Sequence, residues 1–153
     1  MTLSGTISGT YQSANIAKDL AEYENIYVID SLNATQALRL LVLKAVALRE
    51  EGKDAETIFN ELQAYKERVR IVAFVDTLEY LCKGGRMSKT VAAAGTLLKV
   101  KPIIGLRDGK LEMFSKARGA VKATAKIIEL IHEDGEIDFK EPICIAVSYT
   151  HLR

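Results

Sequence analysis

Short apolar runs alternate with helix-like segments along the first half of the chain, and this order constrains the fold most. Ile26–Asp30 (IYVID) and Arg70–Val75 (RIVAFV) are typical of buried parallel strands. Ala34–Glu51 is apolar almost all round, which predicts a helix buried on most sides. A helix is also expected over Tyr11–Glu24, and another after Asp54, a residue type that caps helix N-termini. Strands and helices in this order predict a right-handed α/β layer.

The second half has a different pattern. Two strand-like segments, VKPIIGL and KLEMFSKA, flank Asp108-Gly109, a strong hairpin signal. Two short helices are expected before this hairpin, on either side of the Gly-Gly turn at residues 84–85. A helix over Arg118–His132 and a last strand, EPICIAVSY, are expected after it. This order predicts an α+β unit with an antiparallel sheet, and we place the domain boundary so that the domains are 1–75 and 76–153.

Composition excludes several classes of protein. The formal net charge of +1 gives no support for broad attraction to nucleic acid. Cys82 and Cys144 are too few and too far apart for a disulfide framework or a zinc site. No run approaches the roughly 18 apolar residues of a membrane span, and no signal peptide is visible. We therefore expect a cytoplasmic protein without membrane insertion. Both ends look cut, so a piece of a larger protein is also expected.

The Ser/Gly-rich segment Ser4–Ala14 (SGTISGTYQSA) precedes the first expected helix. It matches neither a phosphate-binding P-loop nor a GxGxxG fingerprint. Helix N-terminal N–H groups together with the hydroxyls of Ser8 and Thr10 would suit a carboxylate or a phosphate. An ordinary strand-to-helix turn with a Ser or Thr cap explains the same residues. The pattern leaves both interpretations open.

Two arginines next to glycines are candidate ligand-binding or partner-binding residues. Arg86 follows the Gly-Gly turn in KGGRMSK, and Arg118 precedes Gly119 at an expected helix start. A cation at a helix start is mildly unfavourable for the helix dipole, which favours a functional role for Arg118. A guanidinium pairs well with a carboxylate or a phosphate. Solvated turns remain the simpler interpretation of both positions.

Five motifs occur together in the order and at the spacing of a known family. They are ISGTYQSA, VIDS, VDTLEYLCKGGRMSK, LLKVKPI with DGK, and KARGAVKA. Together they resemble the DegV family over residues 1 to about 147, and DTLEYLCKGGR is the most specific of them. The resemblance implies a Rossmann-like N-terminal domain followed by a C-terminal domain built on an antiparallel sheet.

The resemblance also implies a function. Proteins of this family bind a long-chain fatty acid between their domains, and in many bacteria present its carboxylate to a fatty acid kinase. Ser8 matches a serine that hydrogen-bonds the carboxylate, and Arg86 and Arg118 match arginines near it. The upstream TSQPS motif and a histidine in a C-terminal Gly-Pro-Gly region have no counterpart here.

Three functions compete at this point. The leading hypothesis is a fatty-acid carrier, with no turnover or cofactor of its own, whose kinase partner supplies nucleotide and metal. The main alternative is a phosphotransferase subunit or another small-anion-binding enzyme that uses the Ser/Gly loop. No Gly-Lys-Ser/Thr motif, GxSxG motif or Mg²⁺-binding carboxylate cluster supports that alternative. The third is a purely structural or interaction domain.

Overall fold

A computed structural model describes residues 1–88, 90 and 99–147, and it confirms the α/β class, with helices and a three-stranded antiparallel sheet. Its elements are, in chain order, α1 Thr10–Leu20, α2 Thr35–Glu50, α3 Ala55–Lys66, β1 Val72–Phe74, α4 Glu79–Lys83, β2 Val100–Arg107, β3 Lys110–Arg118 and α5 Ala120–Glu133. The second of the two short helices expected around the Gly-Gly turn falls largely outside the described residues.

The core of the first half lies where α2 and α3 pack together. Asp54 caps α3 as predicted, because its carboxylate accepts a hydrogen bond from the Thr57 amide at 2.7 Å. The apolar residues of α3 face the core. Leu41 of α2 and Leu62 of α3 are the most deeply buried residues of this core. The other buried members are Ile29, Ala37, Tyr65 and Val69.

The expectation that α2 is buried on most sides was wrong. The buried residues of α2 are Ala37, Leu41 and Leu48, which lie four and seven residues apart and so form one stripe. Val42 and Leu43 are 44% and 39% exposed. The reason is that α2 packs against the core along one face. Leu40 and Ala45, beside the stripe, are only partly buried against the core, and Val42 and Leu43 are more exposed still. The helix expected over Tyr11–Glu24 forms as α1, Thr10–Leu20, and no residue within it is buried.

The parallel layer predicted from the two apolar runs is almost absent from the described residues. Its one parallel contact is the bridge between Thr2 and Asp30, with the Thr2 amide bonded to the Ile29 carbonyl at 2.9 Å. Beyond this bridge, Ile26–Asp30 forms no strand, because only the short segment around Thr2 lies beside it. RIVAFV does contain a strand, β1, but it pairs antiparallel with β2. The boundary near residue 75 stays a prediction.

The hairpin predicted from Asp108-Gly109 is confirmed. Strands β2 and β3 pair antiparallel from Val100 opposite Arg118 to Arg107 opposite Lys110. Asp108 and Gly109 have φ angles of 49° and 75°, the left-handed pair that a tight two-residue hairpin turn requires. Asp and Gly adopt that conformation at low cost, so the dipeptide determines the turn.

The last predicted strand, EPICIAVSY, does not form in residues 141–147, the part of it that the structure describes. Ile145 is 93% exposed there. A strand needs a neighbour to satisfy its backbone hydrogen-bonding groups, and no described strand lies beside this segment. Residues 134–138, which precede this segment, are held by ion pairs instead. Asp134 pairs with Arg70 and Asp138 with Arg68, each at 2.8 Å, so the chain returns to the end of α3.

Leu41→Ala should lower the free energy of unfolding by about 2–5 kcal/mol, because Leu41 is fully buried between α2 and α3. The matched control is Leu43→Ala on the same helix, which should cost less than about 1 kcal/mol because Leu43 is partly exposed. Urea unfolding followed by circular dichroism measures both. Equal losses, or a change in ligand selectivity without loss of stability, would show that α2 has another role.

Burial raises the pKa of Tyr65, and the Glu141 carboxylate, whose Oε2 accepts the Tyr65 hydroxyl at 3.3 Å, raises it further. The neutral phenol is therefore favoured in the folded state. Its contribution to stability is complete below about pH 10, the unfolded pKa, and is lost as the pH rises through the higher folded value. Urea unfolding between pH 8 and 11 should show a steeper alkaline loss for the wild type than for Tyr65→Phe. Glu141→Gln should lie between them, and identical slopes for all three proteins would contradict this account.

Candidate functional site

The Ser/Gly loop is built around the backbone of Ser4. The Ser4 carbonyl accepts hydrogen bonds from the amides of Ile7 and Ser8, both at 3.1 Å, and this closes a tight turn. Helix α1 then begins at Thr10, with Gly9 at its N-cap position. Sequence position and local hydrogen bonding thus bring Ser8 to the helix entrance, where the sequence predicted it.

Ser8 and Thr10 form a pair of hydroxyls at this entrance. Their oxygens lie 2.7 Å apart, and Ser8 Oγ also accepts the Thr10 amide at 3.3 Å. One hydroxyl hydrogen is used within the pair, which leaves the other for an external acceptor. The geometry of an α-helix also leaves the amides of Tyr11 and Gln12 without an acceptor inside the helix. The entrance therefore presents donors and the positive end of the helix dipole.

Arg86 approaches the same loop from α4. Helix α4 ends at Lys83, and Gly85 turns the chain with a φ of 74°. The amide of Arg86 then bonds to the Leu81 carbonyl at 2.9 Å. Its Nε donates to the carbonyl of Ile7 at 3.0 Å, and its guanidinium also contacts the Gly84 carbonyl. Part of this arginine's donor capacity therefore holds the Ser/Gly loop against the Gly-Gly turn.

An open depression of about 260 Å³ lies between the loop and the turn. Its lining residues are Gly5, Thr6, Ile7, Ser8, Gly9, Gly85 and Arg86. A hydroxyl donor, a helix N-terminus and a guanidinium converge there, and none of the described residues that line it carries a carboxylate. Such a surface suits a small anionic group such as a carboxylate.

Arg118 is not among the residues that line this depression. It ends β3 opposite Val100, and its side chain is exposed. Gly119 follows with a φ of 79°, and its amide bonds to the Lys99 carbonyl at 2.9 Å. The structure thus brings Ser8, Thr10 and Arg86 together and leaves Arg118 at a separate turn. A binding role for Arg118 stays a prediction.

Sequence reasoning missed the residues that support the loop. The Asp30 carboxylate accepts the Gly5 amide, with both oxygens within 3.2 Å, and also the Leu32 amide at 2.9 Å. Ser4 is fully buried, and its hydroxyl donates to the Gly109 carbonyl at 2.8 Å. An acid at the end of the apolar run Ile26–Ile29 was the available signal for Asp30. Nothing local to Ser4 indicated a partner 105 residues away.

Two further findings concern the described residues alone. Among residues 1–88, 90 and 99–147, no group of three or more His, Cys, Asp or Glu side chains could hold a metal ion. No helix in that part of the chain is long and apolar enough to cross a membrane.

Comparisons with known families and curated proteins give one consistent match. The family model described as "Uncharacterised protein, DegV family" matches residues 1–151. A DegV domain-containing protein of Clostridium acetobutylicum is 45% identical over 88% of this chain and 48% of its own length. Another, from Caldanaerobacter subterraneus, is 42% identical over 91% of this chain and 49% of its own length. The chain spans about half the length of the curated relatives it matches.

Solved structures resemble the chain over a similar extent. A DegV family protein of Eubacterium eligens, loaded with heptadecanoic acid, matches 88% of this chain and 50% of its own, with a TM-score of 0.81 and 31% identity. DegV of Bacillus subtilis, described as a fatty acid binding protein, matches 86% of this chain and 47% of its own, with a TM-score of 0.72 and 39% identity. The fatty acid kinase (Fak) B3 protein of Streptococcus pneumoniae, loaded with linoleic acid, matches 86% of this chain and 49% of its own, with a TM-score of 0.78 and 32% identity.

Proposed function

Because the chain belongs to the DegV family, we propose that it carries the carboxylate-binding loop of a fatty-acid carrier. The observation that carries the proposal is the depression where the Ser8–Thr10 hydroxyl pair, the α1 entrance and Arg86 meet. Similar proteins from Eubacterium eligens and Streptococcus pneumoniae are loaded with fatty acids. These likenesses support the choice of a fatty acid as the ligand.

The donors around the depression match the needs of a single carboxylate. A carboxylate accepts hydrogen bonds only, and its two oxygens together take about four of them. The free hydroxyl hydrogen of the Ser8–Thr10 pair and the α1 amides supply neutral donors. The Arg86 guanidinium adds positive charge at the rim. A nucleoside triphosphate carries several more charges, and this loop lacks the glycine-rich P-loop motif with its lysine, one of the common means of binding such a ligand.

The proposal extends to a partner. The depression is open to solvent, so a carboxylate held there stays accessible to a second protein. We propose that this protein is a fatty acid kinase that phosphorylates the bound carboxylate, a role supported by the likeness to the Fak B3 protein. Nucleotide and metal would then come from the kinase. Arg86 at the rim is the described cation best placed to contact a kinase docked over the loop.

Ser8→Ala should weaken fatty-acid binding by about 1–2 kcal/mol in the full-length protein, because it removes one hydrogen bond to a charged group. Ser13→Ala is the matched control, since Ser13 is exposed on α1 and does not line the depression. Isothermal titration calorimetry with oleate measures both. Equal affinity of the Ser8 variant and the wild type would remove Ser8 from the site.

Native mass spectrometry of protein purified without added lipid should show a bound acyl chain, and a nucleotide in its place would favour the phosphotransferase alternative.

Arg86→Gln and Arg118→Gln should impair phosphorylation of the bound fatty acid more than they impair its binding. Exposed cations contribute to docking of a partner, and their effect is screened over about 8 Å at physiological ionic strength. The measurement is acyl-phosphate formation by the full-length protein with its kinase, alongside acyl binding, at two salt concentrations. Equal loss of both activities would make the arginines ligand-holding residues. No loss of either would assign them to the solvated surface.

A further inference from the structure

Two hydroxyls of the Ser/Gly loop converge on one carbonyl in the β2–β3 turn. Ser4 Oγ donates to the Gly109 carbonyl at 2.8 Å, and Thr6 Oγ1 contacts the same oxygen. The two hydroxyl oxygens lie 3.1 Å from each other. A carbonyl oxygen has two lone pairs, so it can accept both hydrogens at once. We call this contact of Ser4 and Thr6 with Gly109 the loop latch.

The loop latch reaches Ser8 through the backbone of Ser4. The Ser4 carbonyl accepts the Ser8 amide at 3.1 Å, and the Ser4 amide bonds to the Asn33 carbonyl at 2.9 Å. The Ser4 side chain, amide and carbonyl are therefore all engaged. A shift of Ser4 would move the turn that ends at Ser8 and so change where the Ser8 hydroxyl lies.

The β2–β3 turn is a rigid anchor for this latch. Gly109 has a φ of 75°, and a Cβ added there would press on Ser4 Oγ and lie 3.2 Å from Leu32 Cδ2. The strands on both sides are paired up to Arg107 and Lys110, the residues adjoining the turn. The close approach depends on the absence of a side chain, so glycine at this position serves the loop as well as the turn.

The same two hydroxyls could instead be ligand-binding groups, but their surroundings argue against it. Ser4 is fully buried and does not line the depression. Thr6 lines the depression, yet its hydroxyl contacts Gly109. With these two hydroxyls committed, Ser8 is the remaining hydroxyl-bearing residue among the described residues that line the depression.

We propose that the loop latch positions Ser8 for the ligand carboxylate, so that the β2–β3 hairpin sets the geometry of a binding loop more than 100 residues away in sequence. Ser4, Thr6 and Gly109 are positioning residues in this arrangement. The inference rests on the proposed function for the identity of the ligand. The placement of Ser8 by the latch can be measured without any ligand.

The test compares two substitutions at Thr6 in the full-length protein. Thr6→Val keeps the shape and removes the hydroxyl, whereas Thr6→Ser keeps the hydroxyl. Thr6→Val should weaken oleate binding about threefold to tenfold, the effect of losing one neutral hydrogen bond, and Thr6→Ser should bind like the wild type. In a Ser8→Ala background, Thr6→Val should cause no further loss, because the latch acts through Ser8.

Amide hydrogen exchange of Ser8, measured by NMR without ligand, is the second readout. Thr6→Val should speed its exchange about threefold or more, and Ser4→Ala should have an effect in the same direction. Unchanged exchange in both variants would overturn the latch. An equal, additive loss of affinity in the Ser8→Ala background would also overturn it, since Thr6 would then act on the ligand directly. If the wild type bound no fatty acid while the exchange result held, the proposed function would fail and the latch would stand.

Discussion

A buried hydroxyl must find a partner, and at Ser4 this requirement organises the rest of the site. Leaving such a group unpaired would cost about 1–3 kcal/mol. The partner is the carbonyl of Gly109, which is available only because Asp108 and Gly109 adopt the left-handed turn that joins β2 to β3. The hairpin, the buried serine and the loop are therefore interdependent. A change in any of them disturbs the surface where Ser8 and Thr10 face solvent.

The electrostatics of the depression follow from the same arrangement. Asp30 lies close to the loop in space, although it is 25 residues from Gly5 in sequence. Its carboxylate accepts the amides of Gly5 and Leu32 and does not line the depression. The negative charge of Asp30 therefore lies beside the backbone that it supports and not among the residues that line the depression. The exposed side presents hydroxyls, helix amides and the guanidinium of Arg86. This separation makes the surface attractive to an anion although the net charge of the chain is close to zero.

Features determined by a few adjacent residues were predictable from the sequence. The Asp54 cap and the Asp108-Gly109 turn are of this kind, because each depends on the chemistry of one or two side chains. Features that depend on a distant neighbour were not. The apolar run at Ile26–Asp30 indicated a strand without revealing how little chain lies beside it. For the candidate site, Ser8 and Arg86 were proposed from their motifs, and their binding role stays a prediction. Ser4 looked like any loop serine because its partner is 105 residues away.

The ion pairs between the end of α3 and residues 134–138 have a consequence for the order of folding. They join positions 64 and 70 residues apart, whereas α2 and α3 are neighbours along the chain. Closing a long loop costs more conformational entropy than closing a short one. The α2–α3 hairpin is accordingly the unit that can form early, and the return of the chain onto α3 comes later. The Ser4–Gly109 contact spans a still longer segment, so the proposed carboxylate-binding surface is complete only when both halves of the chain have folded.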